Sequence, residues 1–110
     1  MKLPNRNKVI IQRSKLNDYL LSDKHSLGKF KARLFAGIGF NRSNIKLLEK
    51  TLRNIIASSE ISDEISSDYG TKYVIYGKIK SPNGKHVRLC TIWIIEKGQI
   101  RPRFVTAYPV

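Results

Sequence analysis

The stretch Lys72-Tyr73-Val74-Ile75-Tyr76-Gly77-Lys78-Ile79-Lys80-Ser81-Pro82-Asn83-Gly84-Lys85-His86-Val87-Arg88-Leu89-Cys90-Thr91-Ile92-Trp93-Ile94-Ile95 decides the fold. Lys72 to Lys80 alternates in character well enough for a strand, whose successive side chains point to opposite faces. Ser81-Pro82-Asn83-Gly84 ends it. Asn-Gly between two strand-like runs signals a hairpin, because both residues accept the positive φ of a tight reversal. Val87 to Ile95 is a continuous β-branched run with no polar face to offer water. It reads as the central strand, covered at least in part on both sides.

Working outward, Lys97-Gly98 makes a second tight turn into a closing strand from Arg101 to Tyr108. On the other side, Tyr69-Gly70 is a turn, and Glu60 to Asp68 reads as an irregular strand or a loop. Upstream of Ser58 the period changes. Ile45, Leu48, Leu52, Ile55 and Ile56 recur at three- and four-residue steps, the stripe of a helix begun at Ser43 or Asn44. An earlier helix, capped by Ser26, has Phe30, Leu34 and Phe35 inward and stops at Gly37 and Gly39. Ser14 caps a short helix through Leu16, Tyr19, Leu20 and Leu21, with Ser22 to His25 as the turn between them. Val9-Ile10-Ile11 is a strand or an arm. Helices first and an antiparallel meander second predict an α+β fold, N-terminal helices packed on one face of a three- or four-stranded sheet. Length predicts one domain over residues 1–110, with a helical half 9–58 and a sheet half 60–109.

Composition narrows the partners. The 110 residues hold 21 Lys and Arg against 8 Asp and Glu, a formal net charge of +13. The excess is uneven: residues 1–58 carry 13 basic and 3 acidic residues, and residues 59–110 carry 8 and 5. Such a field attracts polyanions and speeds their arrival, which points to nucleic acid, RNA such as tRNA or mRNA. An acidic protein, an antitoxin or immunity protein, answers the same charge. Cys90 is the only cysteine, so neither a disulfide framework nor a cysteine metal site is expected. The N-terminus lacks the apolar segment of a signal peptide, and no stretch approaches the roughly 20 apolar residues of a membrane span. The expectation is a cytoplasmic protein, or a toxin domain cut from a larger exported chain.

Candidate chemistry lies in a few positions. His25 offers an imidazole that titrates near neutrality, able to take a proton from a ribose 2′-hydroxyl or return one to a leaving oxygen. Lys29, Lys31 and Arg33 follow it. At helical spacing Lys29 and Arg33 share a face, with Lys31 turned away. Cations there stabilise charge on a phosphate. Thr106 and Tyr108 fall on one strand face, with Phe104, and a hydroxyl pair side by side can grip a phosphate. Arg101 and Arg103 point the opposite way if the strand is regular and serve as backbone phosphate contacts. Arg88 and Thr91 fall on opposite faces of the central strand, so at most one belongs to an open site, and Trp93 on the Thr91 side reads as core. His86, beside the turn, is a second histidine but reads as a turn-flanking polar residue. No HExxH, Cys/His cluster, P-loop or carboxylate pair appears, so no metal and no cofactor are expected, and clustered carboxylates for two-metal catalysis are missing.

The pattern H-x-x-G-K-x-K-A-x-L-F at His25 to Phe35, Y-G-T-K-Y at Tyr69 to Tyr73, T-I-W-I-I at Thr91 to Ile95 and V-T-A-Y-P at Val105 to Pro109 resembles a small bacterial domain family of unassigned function. The closing T-A-Y-P also resembles the last motif of EndoU-like ribonuclease toxins, of the barnase–EndoU–colicin–RelE group. That resemblance implies a metal-independent RNA endonuclease, cleaving by 2′-hydroxyl transphosphorylation to a 2′,3′-cyclic phosphate. It implies the toxin of a toxin–antitoxin or interbacterial-competition system. It gives the histidine role to His25, the cation role to Lys29 or Lys31, and the hydroxyl roles to Thr106 and Tyr108. EndoU-like enzymes typically use two histidines before the sheet, where this chain has one. A non-catalytic nucleic-acid-binding module, or an adaptor for an acidic protein, fits the same charge.

Overall fold

The computed structural model describes residues 1–21 and 28–110, leaving aside the side chains of residues 19, 20 and 28–30. Its sheet has four antiparallel strands in the order β1-β2-β3-β4: β1 is Asp63–Ser67, β2 Gly70–Lys80, β3 His86–Glu96 and β4 Arg103–Pro109. Two α-helices precede it, α1 over Gly28–Gly37 and α2 over Ile45–Ser58. The α+β expectation holds. The undecided Glu60 to Asp68 segment supplies β1, an edge strand exposed along its whole length. Among the described residues no helix is long and apolar enough to cross a membrane.

The hairpin forms where Asn83-Gly84 predicts it, but through a loop longer than two residues. Lys80 pairs with His86, and the Ser81 amide donates to the Lys85 carbonyl at 2.8 Å. Gly84 takes the positive φ of 86° that closes the loop, a conformation cheap only without a Cβ. Asn83 accepts from the Ser81 hydroxyl at 2.6 Å and donates through Nδ2 to the Gly37 carbonyl at 2.9 Å. The turn therefore also satisfies one of the carbonyls that the end of α1 leaves open.

Helix α2 buries the predicted stripe, with Leu48, Leu52, Ile55 and Ile56 inside. It presses on β2 at Gly77, where a Cβ would lie 2.6 Å from Cγ1 of Ile55. The glycine is what lets helix and strand approach so closely. Asn41 accepts from the Ser43 amide and the Asn44 side chain accepts from the Asn41 amide, a reciprocal cap on the short turn Arg42–Asn44 that leads into α2. Beneath α2, the near face of the sheet presents Tyr73, Ile75, Leu89, Thr91, Trp93, Phe104 and Ala107, all buried. Trp93 and Phe104 meet edge to face with ring centroids 5.2 Å apart.

Four expectations need correction. The first helix, Lys15–Leu20, is wound as a π-helix, with the Leu21 amide reaching the Leu16 carbonyl at 2.8 Å. Leu34 is 36% exposed rather than inward, while Phe35 is fully buried. Neighbours on a helix lie about 100° apart, and in α1 the core side falls on Phe35. In β4 the register shifts at Ile92/Trp93: Ile92 opposes Thr106 but Trp93 opposes Phe104, so Val105 is the extra residue of a bulge. The bulge breaks the two-residue alternation. Phe104 therefore faces α2, away from Thr106 and Tyr108, and Arg103 joins Thr106 on the far face. Arg101 lies before β4 altogether and donates to the Lys8 carbonyl at 2.9 Å.

Val9-Ile10-Ile11 proves to be an arm laid along β4. Ile10 donates to the Pro102 carbonyl at 2.8 Å and accepts from the Phe104 amide at 2.9 Å, a single parallel bridge at the sheet edge. Val9 and Ile11, flanking it, are buried in the core.

Candidate functional site

On the face of the sheet turned away from α2, strand register sets the residues in rows. Tyr76 opposes Cys90, and Cys90 opposes Tyr108. Val74 opposes Ile92, and Ile92 opposes Thr106. One step toward the hairpin, Lys78 opposes Arg88 and Lys80 opposes His86. Opposed residues in an antiparallel sheet point the same way, and residues two apart keep to that face. The far face thus carries two tyrosines around a cysteine, a threonine one row away, and a run of cations and an imidazole toward the hairpin.

The cations lean on the rings. The Arg88 guanidinium carbon lies 4.2 Å from the centre of the Tyr76 ring, and the Lys31 ammonium lies 6.0 Å from that of Tyr108. Both positions are electrostatically favourable over an electron-rich face. Lys31 comes from α1, which packs beside β4, so helix and strand bring a cation and a phenol together across 77 residues of sequence. Cys90, 1% exposed, lies beneath the tyrosines. Its hydrogen bond to Tyr108, followed by its charge, partial burial and the nearby Tyr76, holds the Tyr108 hydroxyl above the ordinary phenol value. That hydroxyl keeps its proton at neutral pH and acts as a donor.

Thr106 sits beside this group. Its Oγ1 is buried and has no hydrogen-bond partner among the described residues. Buried hydroxyls are nearly always paired, so an unpaired one beside a protonated phenol suits a group that accepts hydrogen bonds.

Not every predicted residue gathers here. Tyr108, Thr106, Lys31, Arg88 and, through the bulge, Arg103 share this face or reach it. Arg103 there donates through Nε to Glu96 at 2.9 Å, both partly exposed. Lys31 reaches Tyr108 from α1, on a different side of the helix from Arg33, as helical spacing predicts. Arg33 instead lines a hollow with Phe40 and Arg42 beside the start of α2. Arg101 stands with the N-terminal arm. His25 lies outside the described residues, and Lys29 lies in α1 with its side chain outside the described set. Thr91 and Trp93 are core, as their parity predicts. Sequence reading passed over Tyr76, Lys78, Lys80 and Cys90 as members of the face. Their even spacing along two strands joined by a legible hairpin was the signal available, once the strands are paired.

A family model described as a domain of unknown function, DUF6883, matches residues 2–110. Among solved structures, a chain of the contact-dependent growth inhibition toxin–immunity protein complex from Klebsiella pneumoniae 342 shares the fold. Its TM-score is 0.67 at 16% identity, over 92% of this chain and 99% of that one. No curated protein matches.

Proposed function

The chain belongs to the family of domains of unknown function DUF6883, and from that premise we propose that it is a metal-independent endoribonuclease acting as a bacterial toxin. The observation that carries the reading is the far-face group: a protonated Tyr108 with Lys31 over its ring, and beside it the buried Thr106 hydroxyl, which has no partner among the described residues. A phosphodiester would bring an anion with several acceptor oxygens to that group. The fold likeness to a chain of a toxin–immunity complex supports the toxin role, and the charge of +13 supports RNA as the target and an acidic immunity protein as the partner.

In this mechanism Tyr108 donates to a non-bridging oxygen of the scissile phosphate, with the Thr106 hydroxyl next to it on the same strand face. Lys31 or Lys29 offsets the negative charge that gathers as the 2′-oxygen attacks. His25 takes the proton from that 2′-hydroxyl or returns one to the departing 5′-oxygen. The products are a 2′,3′-cyclic phosphate and a 5′-hydroxyl, so no water and no metal enter the bond-breaking step. Incubation of the pure protein with tRNA and with total RNA in EDTA tests this. Fragments ending in 2′,3′-cyclic phosphate are expected, and RNA left intact by excess protein across several substrates rejects the proposal.

A further inference from the structure

Toward the hairpin from Tyr108 lies a groove of about 510 Å³ lined by Lys78, Lys80, His86 and Arg88 of the far face together with Ile79 and Val87, whose side chains turn toward the core. That volume lies within the range of sites that take a small organic group. Three of its six lining residues are cations and none is acidic. Arg88 lies exposed, with its guanidinium carbon over the Tyr76 ring, 4.2 Å from its centre. Tyr76 is joined to Tyr108 through the Tyr76–Cys90–Tyr108 row. A two-residue step along a strand covers about 7 Å. Arg88 is therefore one such step from the row that holds Tyr108, on the scale of one nucleotide of an extended strand.

We propose that this groove binds one unpaired nucleotide next to the reacting phosphate, with Arg88 stacked between the Tyr76 ring and the base and Lys78 and Lys80 on the phosphates. The inference deepens the ribonuclease reading and rests on it for the position of the cleaved bond. Its consequence is a substrate class: RNA that is single-stranded at the cut. A base inside a duplex has both faces covered by its neighbours and has none to lay on a guanidinium. A splayed base in a loop or at an end has one free, and arginine planes and aromatic rings are what such bases stack on. Lysine in place of Arg88 keeps the charge but loses the plane. An acidic protein segment pairs its carboxylates with the edge of the guanidinium and leaves the face unused.

The test separates binding from cleavage by using a 2′-O-methyl RNA dodecamer, which has no attacking hydroxyl and stays intact. Its affinity is read by fluorescence anisotropy, free and annealed to its complement, over a range of salt. The single strand is expected to bind at least tenfold more tightly than the duplex. Arg88→Lys should lose at least fivefold of the single-strand affinity with the salt dependence unchanged. Lys78→Ala with Lys80→Ala should flatten the slope of log affinity against log salt by about 1.4, which is about 0.7 for each phosphate no longer neutralised. Lys78, Lys80 and Arg88 are exposed, so melting curves of the variants should match the wild type. Equal affinity for single strand and duplex overturns the proposal, as does an Arg88→Lys protein that binds like the wild type. Labelled poly-glutamate bound as tightly as RNA of equal charge also overturns it. Cleavage of ordinary RNA by an Arg88→Lys protein that binds normally leaves the ribonuclease reading standing and removes the groove. The expected binding pattern without any cleavage in EDTA does the reverse.

Discussion

Thr91 and Thr106 stand on opposite faces of the same sheet, and their hydroxyls meet different surroundings. Thr91, fully buried beneath α2, donates to the Ile75 carbonyl at 2.6 Å and accepts from the Trp93 indole at 2.8 Å. Thr106, on the far face, buries its Oγ1 with no partner among the described residues. On the near face the two hydrogen bonds compensate the cost of taking the hydroxyl from water, and the groups they join are packed aromatic and aliphatic residues. On the far face the neighbours are phenols with cations over them. The difference separates the two faces: the near face satisfies its buried hydroxyl within the core, and the far face buries one among phenols and cations with no partner among the described residues.

Substitutions on the near face should therefore cost folding. The largest effect is expected from Trp93→Ala, which empties a fully buried site against Phe104. A loss of about 3–5 kcal/mol in urea unfolding is expected, and a loss under about 1 kcal/mol would show that Trp93 is not central to the core. Thr91→Val keeps the volume but leaves the Trp93 indole without its acceptor, for a cost of about 1–3 kcal/mol. A melting point equal to wild type would mean that the indole does not depend on Thr91.

Far-face residues should behave the other way. Arg103 pairs with Glu96 where both side chains remain open to water, 30% and 48% exposed. Exposed pairs contribute little, so Arg103→Ala should move stability by about 0.5 kcal/mol or less. The same change should flatten the salt dependence of RNA binding by about 0.7 if Arg103 meets a phosphate. A clear drop in stability with an unchanged salt slope would place Arg103 among structural residues instead.

Sequence period made the hairpin, the central strand and the α2 stripe legible, because each follows from local spacing alone. The site was legible only in part. Parity along single strands put Thr106 and Tyr108 on one face and Arg88 opposite to Thr91, as the register has them. The placement of Arg103 and Phe104 was missed because one extra residue, Val105, inverts the parity of everything before it in β4. No local sequence signal marks it, since a bulge is set by pairing with β3. Helical spacing separated Lys31 from Arg33, but that Lys31 meets Tyr108 depends on how α1 docks beside β4, which spacing does not contain. The row Tyr76–Cys90–Tyr108 needed the register of three strands, which alternation within any one of them does not contain.

Tyr108→Phe tests the division between the faces most directly, because it removes one hydroxyl and keeps the ring. Initial cleavage rates on tRNA in EDTA and the melting temperature would be measured on the same preparation. The account predicts a cleavage rate at least tenfold lower, about 1.4 kcal/mol of transition-state stabilisation, with stability changed by less than about 1 kcal/mol. Full cleavage with a clearly lowered melting point would contradict it, making Tyr108 a cap on the core and leaving the far face without its hydrogen-bond donor.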